Sequence, residues 1–363
     1  MKSDLKLKIE KVSIDKNTSI LETLKRMDKE DKKLLLVTQN GHYHGLISIG
    51  DIQRAIIADL DLKKPISEAM RSQIRVARQE DDPENIRDRM MKFRTEFMPI
   101  LNDQDELADI LFWHDVYAET CPPKKQINLP VVIMAGGRGT RMQPLTNVFP
   151  KPLIPLGNKT ILERIMDSFV RGGSHHFILS VNYKADTIRH YLSELNSPEY
   201  EIDYIQETEP LGTAGSLQLL KGRMTDTFWV SNCDILIDQD LSEIYEFHKK
   251  FNNQISIVAA VKHLTIPYGT LETRSDGQLS QLQEKPDFVF KINTGVYLLE
   301  PQAIDEIPED VIFHITDLIE KVRKKEGRVG VFPIPDYAWS DVGSWEEYQK
   351  TSTKLKFGSM LIS

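Results

Sequence analysis

Between residues 19 and 58 the apolar positions follow first a helical pattern and then a strand pattern, and a helical pattern then returns. Around residues 19–27 they recur at helical spacing, whereas residues 33–49 alternate as in two strands joined by an Asn-Gly turn. A second helical pattern begins at Gly50. Together these patterns predict a β-α-β-β-α unit.

The same order of patterns returns about 64 residues later. Residues 82–93 predict a helix, residues 97–113 predict two strands, and a helix begins near residue 114. Asp115 occupies the place in this copy that Asp51 occupies in the first. A unit of this size cannot cover both faces of its own sheet. We therefore expect the two copies, about residues 1–62 and 63–120, to pack on each other.

Downstream of residue 130, short apolar runs alternate with amphipathic segments. Strands are predicted at 130–135, 176–182, 201–207 and 227–234, and helices at 161–173, 184–195 and 213–223. This alternation predicts an α/β fold with a doubly wound, mostly parallel sheet. Residues 121–130 are rich in proline and lysine, which is typical of a linker. The predicted organisation is a repeated module at 1–120, a linker at 121–130 and an α/β domain at 131–363.

The composition narrows the class of protein. The net charge of −8 weakly disfavours a nucleic-acid surface, and the two cysteines, Cys121 and Cys233, cannot build a disulfide framework. No apolar run approaches the ~18 residues that a membrane span requires. Nothing near the N-terminus resembles a secretory signal. We expect a cytoplasmic protein that binds neither nucleic acid nor membranes.

A glycine-rich loop follows the first strand of the α/β domain. It lacks the Gly-Lys-Ser/Thr of a P-loop and the G-x-G-x-x-G spacing of dinucleotide folds. Its glycines allow backbone N–H groups to approach phosphate oxygens directly. Arg141 and Lys151 add two positive charges to the same segment. The loop therefore predicts a binding site for a triphosphate.

The run GGRGTRMQPLT, followed by PKP, resembles the signature of the sugar-1-phosphate nucleotidyltransferases, also called NDP-sugar pyrophosphorylases. Further stretches that resemble the family are EPLGTAG at 209–215, SNCDIL at 231–236, LQEKP at 282–286, INTGVY at 292–297 and WSDVGSWEEY at 339–348. The resemblance covers residues 130 to about 350 and implies a Rossmann-like nucleotidyltransferase fold. It also implies a Mg²⁺-dependent reaction, in which a nucleoside triphosphate and a hexose 1-phosphate give an NDP-hexose and pyrophosphate.

The resemblance implies roles for the residues at matching positions. The implied catalytic residues are Arg141, Lys151, Asp234, Lys285 and Asp341, of which Asp234 and Asp341 bind the metal. The implied nucleotide-binding residues are Ala135, Gly136, Gly137, Gly139, Thr140, Arg141, Lys151, Glu207, Gly212 and Thr213. The implied sugar-phosphate set is Tyr268, Gly269, Glu284, Lys285, Asn293 and Thr294.

Two of these positions leave other interpretations open. Taken alone, Asp234 is also typical of a strand-end turn and Asp341 of a helix N-cap. Cys233 stands where the family often has glycine before the metal-binding aspartate. We expect its side chain to narrow the space beside Asp234 and to leave the Asp234 carboxylate functional.

The implied reaction explains why the motifs contain cations and carboxylates and no histidine. The attacking group is a phosphate oxygen, which is already an anion at neutral pH, so no general base is required. The difficulty is to bring two polyanions together and to stabilise the charge of the departing pyrophosphate. None of the nine histidines lies in a motif.

In the family, the residue five positions before the first glycine of LGTAG contacts the base of the nucleotide. That glycine is Gly212 here, so the resemblance assigns this role to Glu207. A carboxylate can accept hydrogen bonds from both N1–H and N2–H₂ of guanine, which favours GTP. Alternatively, Glu207 is an exposed acid at a strand end.

The choice of sugar rests on the order of the domains. The order of the repeat and the α/β domain resembles the glucosamine-1-phosphate guanylyltransferases of legionaminic acid pathways, which form GDP-glucosamine. Mannose 1-phosphate with GTP, and glucose 1-phosphate with UTP, TTP or ATP, remain open. The sequence has no hexapeptide repeats after residue 350, so we expect no fused acyltransferase.

The N-terminal repeat resembles a pair of CBS domains, which usually bind adenine nucleotides between their two copies. Ser48 and Asp51 match the Ser/Thr-x-x-Asp that grips the ligand, whereas Phe112 replaces the Ser/Thr that should precede Asp115. One competent nucleotide site is therefore expected. Alternatively, both aspartates are helix N-caps and the pair serves to hold a homo-oligomer, a dimer or higher.

A different class of function is also compatible with these domains, namely a catalytically inactive sensor of sugar nucleotides. A pure sensor would not need both metal-binding acids, and the sequence retains Asp234 and Asp341 together with the cations. The enzyme is the favoured interpretation.

Overall fold

The computed structural model describes residues 9–71, 75–93, 95–116, 125–195 and 197–360. These residues form two compact units. The first unit comprises Met1–Lys124 with Val261–Phe290 and Pro335–Tyr337, and the second comprises Lys125–Ala260, Lys291–Ile334 and Ala338–Ser363. In the described part of the chain, no helix is both long enough and apolar enough to span a bilayer.

The first repeat has the predicted β-α-β-β-α order. Its elements are β1 (Ser13–Asp15), α1 (Ile20–Glu30), β2 (Leu34–Gln39), β3 (His42–Ser48) and α2 (Ile49–Ile57), followed by a 3₁₀ helix at Ile66–Glu68. Helix α1 begins after Ser19, whose hydroxyl accepts a hydrogen bond from the Glu22 N–H. Asn40 and Gly41 both have positive φ angles, as a two-residue hairpin turn requires.

The second repeat has the same topology as the first. It consists of β4 (Ala77–Arg78), α3 (Pro83–Phe93), β5 (Phe97–Leu101), β6 (Leu107–Phe112) and α4 (Trp113–Val116). In both three-stranded sheets the first strand is parallel to the second, and the second is antiparallel to the third. Leu34 and Leu36 of one copy share a buried cluster with Phe97 and Ile110 of the other. The predicted duplication and the packing of its two copies are both confirmed.

The α/β region follows the predicted alternation closely. Its strands are β7 (Val131–Met134), β8 (Pro155–Leu156), β9 (Lys159–Thr160), β10 (His176–Val181), β11 (Glu201–Gln206), β12 (Phe228–Asn232), β13 (Ile235–Ile237), β14 (Ile255–Thr265), β15 (Thr270–Thr273), β16 (Leu279–Gln283), β17 (Asp287–Leu299), β18 (Val329–Pro335) and β19 (Trp339–Asp341). Its α-helices are α5 (Leu145–Val148), α6 (Ile161–Val170), α7 (Ala185–Leu195), α8 (Gly212–Gly215), α9 (Leu241–Lys250), α10 (Ile315–Lys324) and α11 (Trp345–Met360). Short 3₁₀ helices lie at Thr140–Met142, Lys151–Leu153, Ser216–Leu220, Pro301–Glu306 and Asp336–Ala338.

A seven-stranded sheet organises this region, in the order β11-β10-β7-β12-β17-β14-β18. Strands β11, β10, β7 and β12 are parallel, and β17 is antiparallel to β12. Val132 and Val230 contribute to one buried cluster with Leu318 of α10. On α6, the Phe169 ring lies 5.9 Å from the ring of Trp229, the residue before Val230. Because both faces of the parallel strands are covered, these strands are apolar at successive positions. The predicted α/β fold is confirmed.

The predicted helix at 213–223 is not a continuous α-helix. The chain instead forms the single turn α8 and then a 3₁₀ helix. The amides of Ala214 and Gly215 both donate to the carbonyl of Phe313, 3.0 Å away in each case. They therefore do not donate to carbonyls of their own helix. Gly212 has a φ of +85°, and an added Cβ there would lie 2.6 Å from that carbonyl oxygen. The apolar spacing predicted a longer helix because it does not reveal where these amides donate.

The described part of the predicted linker, residues 125–130, lies in the second unit. The Ile127 N–H donates to the carbonyl of Gly172 at 2.6 Å, and the Ser174 hydroxyl donates to the carbonyl of Ile127 at 3.2 Å. An added Cβ on Gly173 would lie 2.7 Å from the Ile127 nitrogen, so this close approach requires glycine. Residues 125–130 are therefore bound to the segment that follows α6.

Two downstream segments, Val261–Phe290 and Pro335–Tyr337, belong to the first unit. The first of them extends the core of the first repeat. Val261 is buried in the cluster that contains Ile20, Leu24 and Ile47, and Val289 packs against the same cluster. On the exposed side of α1, Lys25 Nζ lies 2.7 Å from Asp287 Oδ2. The division into units consequently passes through strands β14 and β17.

Asp28, on α1, lies in the contact between the first repeat and these segments. Burial, reinforced by the charge of Asp336, raises the pKa of its carboxyl from 3.8 to about 7. His263 Nδ1 lies 3.8 Å from Asp28 Oδ2, and burial lowers the pKa of this imidazole. Between pH 4 and pH 7 the folded chain retains a proton on Asp28 that the unfolded chain releases. The free energy of unfolding therefore falls as the pH rises through that window.

Replacing Asp28 with asparagine should remove this pH dependence. At pH 8 the Asp28→Asn variant should have a free energy of unfolding higher than wild type by on the order of 2–4 kcal/mol, and at pH 4 the difference should nearly vanish. Urea titrations at the two pH values measure both. The exposed Asp88→Asn is the matched control, with little difference expected at either pH. An equal effect of Asp28→Asn at both pH values would contradict the titration of this carboxyl.

Candidate active site

The glycine-rich loop begins where β7 ends, and close contacts explain its glycines. A Cβ on Gly139, whose φ is +64°, would lie 2.9 Å from Thr146 Cγ2 and 3.0 Å from Lys151 Cβ. A Cβ on Gly136 would lie 3.1 Å from Glu207 Oε1. The loop thus passes close to the Lys151 segment on one side and to the end of β11 on the other.

The loop forms one wall of a cavity of about 390 Å³ in the second unit. Of the predicted nucleotide-binding residues, the structure places all but Ala135 at this cavity: Gly136, Gly137, Gly139, Thr140, Arg141, Lys151, Glu207, Gly212 and Thr213. Asp234 and Cys233 also line it. Residues at the cavity that the sequence did not single out are Met134, Pro210, Asn232 and Gly343.

The two predicted metal-binding acids are brought together by a short antiparallel ladder. Strand β13, which follows Asp234, pairs with β19, so that Ile235 lies opposite Asp341. The Val342 N–H donates to the Asp234 carbonyl at 2.9 Å and extends this ladder by one bond. Two positions that are distant in the sequence thereby become neighbours.

Gly343 marks the point at which the charged groups converge. A Cβ at this residue would lie 2.7 Å from Asp234 Oδ2, 2.7 Å from Asp341 Oδ1 and 3.1 Å from Lys151 Nζ. The Gly343 N–H also donates to Asp341 Oδ1, at 2.6 Å. Only glycine leaves room here for both carboxylates, which explains the glycine of the WSDVG stretch.

The two predicted cations of the loop have different surroundings. Lys151 is buried, and its ammonium forms an ion pair with Asp234 Oδ2. Arg141 Nη2 lies 3.8 Å from the same oxygen, but two thirds of the Arg141 side chain is exposed. Lys151 is therefore held in place, whereas the Arg141 guanidinium is free to reach a ligand in the cavity.

Glu207 is buried, in contrast to the exposed acid considered from the sequence alone. Its Oε1 accepts a hydrogen bond of 2.6 Å from the Ser180 hydroxyl, and its Oε2 accepts one of 3.1 Å from the Leu211 N–H. Each oxygen retains a further lone pair. The carboxylate is thus oriented by β10 and by the turn before α8. Ser180 gave no sequence signal, because a serine in a buried strand resembles any small core residue.

Cys233 lies between the end of β12 and Asp234. Burial, with a smaller contribution from the Asp234 charge, raises the pKa of the thiol to about 12, so the side chain is uncharged at neutral pH. Cys233 also lines the cavity.

The predicted sugar-phosphate residues are divided between the two units. Tyr268 and Gly269 precede β15, and Glu284 and Lys285 follow β16, so these four residues of the first unit lie at the open end of the β15–β16 hairpin. A Cβ on Gly269 would lie 3.0 Å from Glu284 Oε2. Asn293 and Thr294 lie on β17 in the second unit. There the Thr294 hydroxyl donates to the Val258 carbonyl at 2.8 Å.

In the repeat, Ser48 and Asp51 form a capping box at the start of α2. Asp51 Oδ2 accepts from the N–H and the hydroxyl of Ser48, and Asp51 Oδ1 accepts from Arg54 and, at 2.6 Å, from Arg71 Nε. These contacts support the helix-cap interpretation, and binding of a ribose would require an arginine to move. Asp115 lies in α4, but its side chain is outside the described residues. Nucleotide binding at these residues stays a prediction.

Both regions of the chain are similar to known proteins. Residues 3–58 match the CBS domain family. Mannose-1-phosphate guanylyltransferase 1 of Arabidopsis thaliana is 32% identical over 228 residues, which cover 61% of this chain and 63% of the relative. The mannose-1-phosphate guanyltransferase of Yarrowia lipolytica is 33% identical over 224 residues, or 60% of this chain and 61% of the relative. The chain thus spans about three fifths of the length of these curated relatives.

Among solved structures, HddC from Yersinia pseudotuberculosis is similar over 62% of this chain and 99% of its own, with 29% identity and a TM-score of 0.51. The same protein has been crystallised with GMP-PN, and that structure gives 28% identity and a TM-score of 0.50 over the same share of this chain. Residues 130–357, well over half of the sequence, match the nucleotidyl transferase family. The chain belongs to the nucleotidyl transferase family.

Proposed function

We propose that this protein transfers a nucleotidyl group from GTP to a hexose 1-phosphate and releases pyrophosphate. The observation that carries the proposal is the convergence of Asp234, Asp341 and Lys151 around Gly343. Gly343, Asp234 and Lys151 line the cavity beside the glycine-rich loop. This arrangement of two acids and one buried cation suits a reaction between two phosphorylated substrates. The catalytic set of Arg141, Lys151, Asp234, Lys285 and Asp341 is part of the proposal.

The proposed reaction exchanges one phosphoanhydride bond for another. An oxygen of the sugar phosphate attacks the α-phosphorus of the nucleotide and forms the new P–O bond. The bond from the α-phosphorus to the β-bridging oxygen breaks, and pyrophosphate departs with that oxygen. No proton needs to move, so the chain's task is to position the two anions and to balance their charge.

The loop and its two cations perform this task on the nucleotide. The backbone N–H groups of Gly136, Gly137 and Gly139 can donate to phosphate oxygens, because no side chain stands between them and the cavity. Lys151 supplies a positive charge whose position is set by Asp234, and the exposed Arg141 supplies a second. Both cations stabilise the charge that develops on the departing pyrophosphate.

The paired acids fit a divalent cation, and we propose Mg²⁺. Among the described residues, no cluster of three or more His, Cys, Asp or Glu side chains offers a complete metal cage. Two carboxylates facing one point suit Mg²⁺, which binds few protein ligands and takes phosphate oxygens and water for the rest. When bound, the ion neutralises phosphate charge and orients the reacting groups.

The choice of guanine rests on Glu207. Its buried carboxylate lies at the cavity, held by Ser180 and Leu211, with acceptor capacity left for the N1–H and N2–H₂ of guanine. The guanylyltransferases among the relatives and the GMP-PN complex of HddC support the same base.

The sugar is proposed to be glucosamine 1-phosphate or mannose 1-phosphate. The order of CBS domain and transferase domain favours the first, and the names of the relatives favour the second. In either case Lys285 is assigned to the sugar phosphate and Glu284 to sugar hydroxyls. Tyr268, Gly269, Asn293 and Thr294 would line the sugar pocket.

An end-point assay that crosses five nucleoside triphosphates with a panel of hexose 1-phosphates, and reads pyrophosphate, tests the proposal directly. Wild type should release pyrophosphate with GTP and one of the two proposed sugars. Asp234→Asn should release none, because it removes one of the two paired carboxylate charges, and circular dichroism should show an intact fold. The exposed Asp226→Asn is the control and should retain activity. Unchanged turnover of Asp234→Asn would refute the role of this acid.

Gly343→Ala tests the convergence itself without altering a charge. The added methyl group would lie 2.7 Å from both carboxylates and must push them apart. We expect kcat to fall by on the order of 100-fold, the loss typical of a displacement of about 1 Å in a reacting group. Ser344→Ala, at the next position, should stay within a few-fold of wild type. Full activity of Gly343→Ala would show that the two acids need not share this point.

Glu207→Gln tests the choice of base. An amide keeps one acceptor but replaces the other with a donor, so kcat/KM for GTP should fall by on the order of 10- to 100-fold. The kcat/KM for UTP should fall less or rise, because uracil presents an acceptor oxygen beside its N3–H donor and an amide can pair with both. Glu209→Gln, an exposed acid two residues later, is the matched control. An equal loss with every nucleotide would mean that Glu207 supports the loop and does not contact the base.

A further inference from the structure

The Glu207 carboxylate is held partly by a turn at residues 211–215. The N–H of Leu211 donates to Glu207 Oε2 at 3.1 Å. Gly212 and Thr213, the next two residues, line the cavity. The helix at this turn, α8, has only four residues. A helix of that length makes too few hydrogen bonds of its own to fix the backbone, so the turn depends on contacts from elsewhere in the chain.

The main contact is the backbone of Phe313, just before α10. The Phe313 N–H donates to the Leu211 carbonyl at 2.8 Å. The Phe313 carbonyl accepts from the N–H groups of Ala214 and Gly215, at 3.0 Å in each case. A peptide unit offers one donor and two acceptor lone pairs. The hydrogen-bonding capacity of the Phe313 backbone is therefore used entirely by this turn.

The glycines of the turn make room for residues 311–315. A Cβ on Gly212 would lie 2.6 Å from the Phe313 carbonyl oxygen, and one on Gly215 would lie 3.1 Å from the Val311 carbonyl oxygen. The Ile315 N–H reaches the Thr213 hydroxyl at 3.0 Å and adds a further hydrogen bond. The glycines of the EPLGTAG stretch thus allow a second segment of the chain to approach closely.

The Phe313 side chain anchors this second segment. It packs against the buried cluster that contains Leu217 and Leu318, and Ile315 belongs to the same cluster. The preceding residue, Ile312, is 69% exposed. Among these neighbours, Phe313 combines a packed side chain with a backbone that is bonded to the turn.

We propose that Phe313 is a positioning residue for recognition of the 2-amino-purine edge of guanine, a role that rests on the proposed function. Its anchored backbone holds the turn, and the Leu211 amide of the turn orients the Glu207 carboxylate. Ser180 holds the other oxygen of that carboxylate. Without the turn, Glu207 keeps one of these two supports. A displacement of about 1 Å in such a group can cost on the order of 100-fold in rate.

Comparison of GTP with inosine triphosphate, which lacks the 2-amino group, tests the proposal. Wild type should favour GTP in kcat/KM by on the order of 10- to 100-fold, the effect of one hydrogen bond to a charged acceptor. Phe313→Ala removes the anchor and should reduce this preference by on the order of tenfold, mainly through a loss with GTP. Phe313→Leu keeps the apolar packing and should restore most of the preference. Ile312→Ala, at the exposed neighbour, should leave it unchanged.

An equal loss with both nucleotides in a folded Phe313→Ala variant would overturn the proposal, because Phe313 would then support the fold without orienting Glu207. Thr213→Val covers the case in which Phe313→Ala fails to fold. Valine keeps the shape of threonine but cannot accept the Ile315 N–H, so the preference for GTP should fall here too. Thr213→Ser retains the hydroxyl and should preserve it. An equal loss with both nucleotides in Thr213→Val would indicate a contact with the shared triphosphate, and would also overturn the proposal.

Hydrogen exchange separates a failure of this proposal from a failure of the proposed function. In Phe313→Ala the amides of Ala214 and Gly215 should exchange on the order of tenfold faster than in wild type, while those of β10 keep the wild-type rate. Unchanged exchange at these two amides would overturn the proposal whichever nucleotide the protein uses. A wild type that releases no pyrophosphate with any nucleotide would refute the proposed function, and the exchange measurement would still decide whether Phe313 holds the turn.

Discussion

The candidate active site depends on the pairing of two three-residue strands, β13 and β19. This ladder is the contact that makes Asp234 and Asp341 neighbours, because the strand after one acid runs antiparallel to the strand that ends with the other. Two carboxylates repel each other at short distance. The backbone hydrogen bonds of the ladder, the Gly343 amide and the Lys151 ammonium all act against that repulsion. The hydrogen bonds that form the local fold thus also hold the two acids of the candidate site together.

Lys151 links this ladder to the glycine-rich loop. Its stem approaches Gly139 while its ammonium contacts Asp234, so one buried side chain joins the glycine-rich loop to the paired acids. Breaking a buried ion pair by removing one partner typically costs about 3–5 kcal/mol, since the other charge is left uncompensated. The exposed Arg141, by contrast, has little influence on the fold. Lys151 is therefore fixed by its buried ion pair, whereas the Arg141 side chain stays largely exposed.

Much of the architecture was predictable because it rests on local patterns. The buried strands β7, β10, β11 and β12 and the helices α6 and α7 follow from continuous apolar runs and helical spacing. The duplication could be predicted for the same reason. The β13–β19 pairing could not, because strands of three residues carry no periodic signal. Motif resemblance alone placed Asp234 and Asp341 in one set, and it did not indicate that Gly343 supplies the space between them or that Ser180 orients Glu207.

The strands β14 and β17 illustrate a second limit of sequence patterns. Both continue past the limits of the second unit, and their outer halves contribute Val261 and Val289 to the core of the first repeat. A valine in a long strand carries no sign of which core it will join. The order along the chain assigned these residues to the α/β domain at 131–363, whereas they lie in the first unit.

Because Val261 and Val289 complete a core begun by residues of the first repeat, the N-terminal repeats are not a detachable accessory. A truncated chain that starts at the linker would keep the motifs of its family but would expose the apolar surface that α1 and its neighbours normally cover. The two parts would now have to evolve together, and exchange of the repeat for one from another protein would require matching changes along β14 and β17.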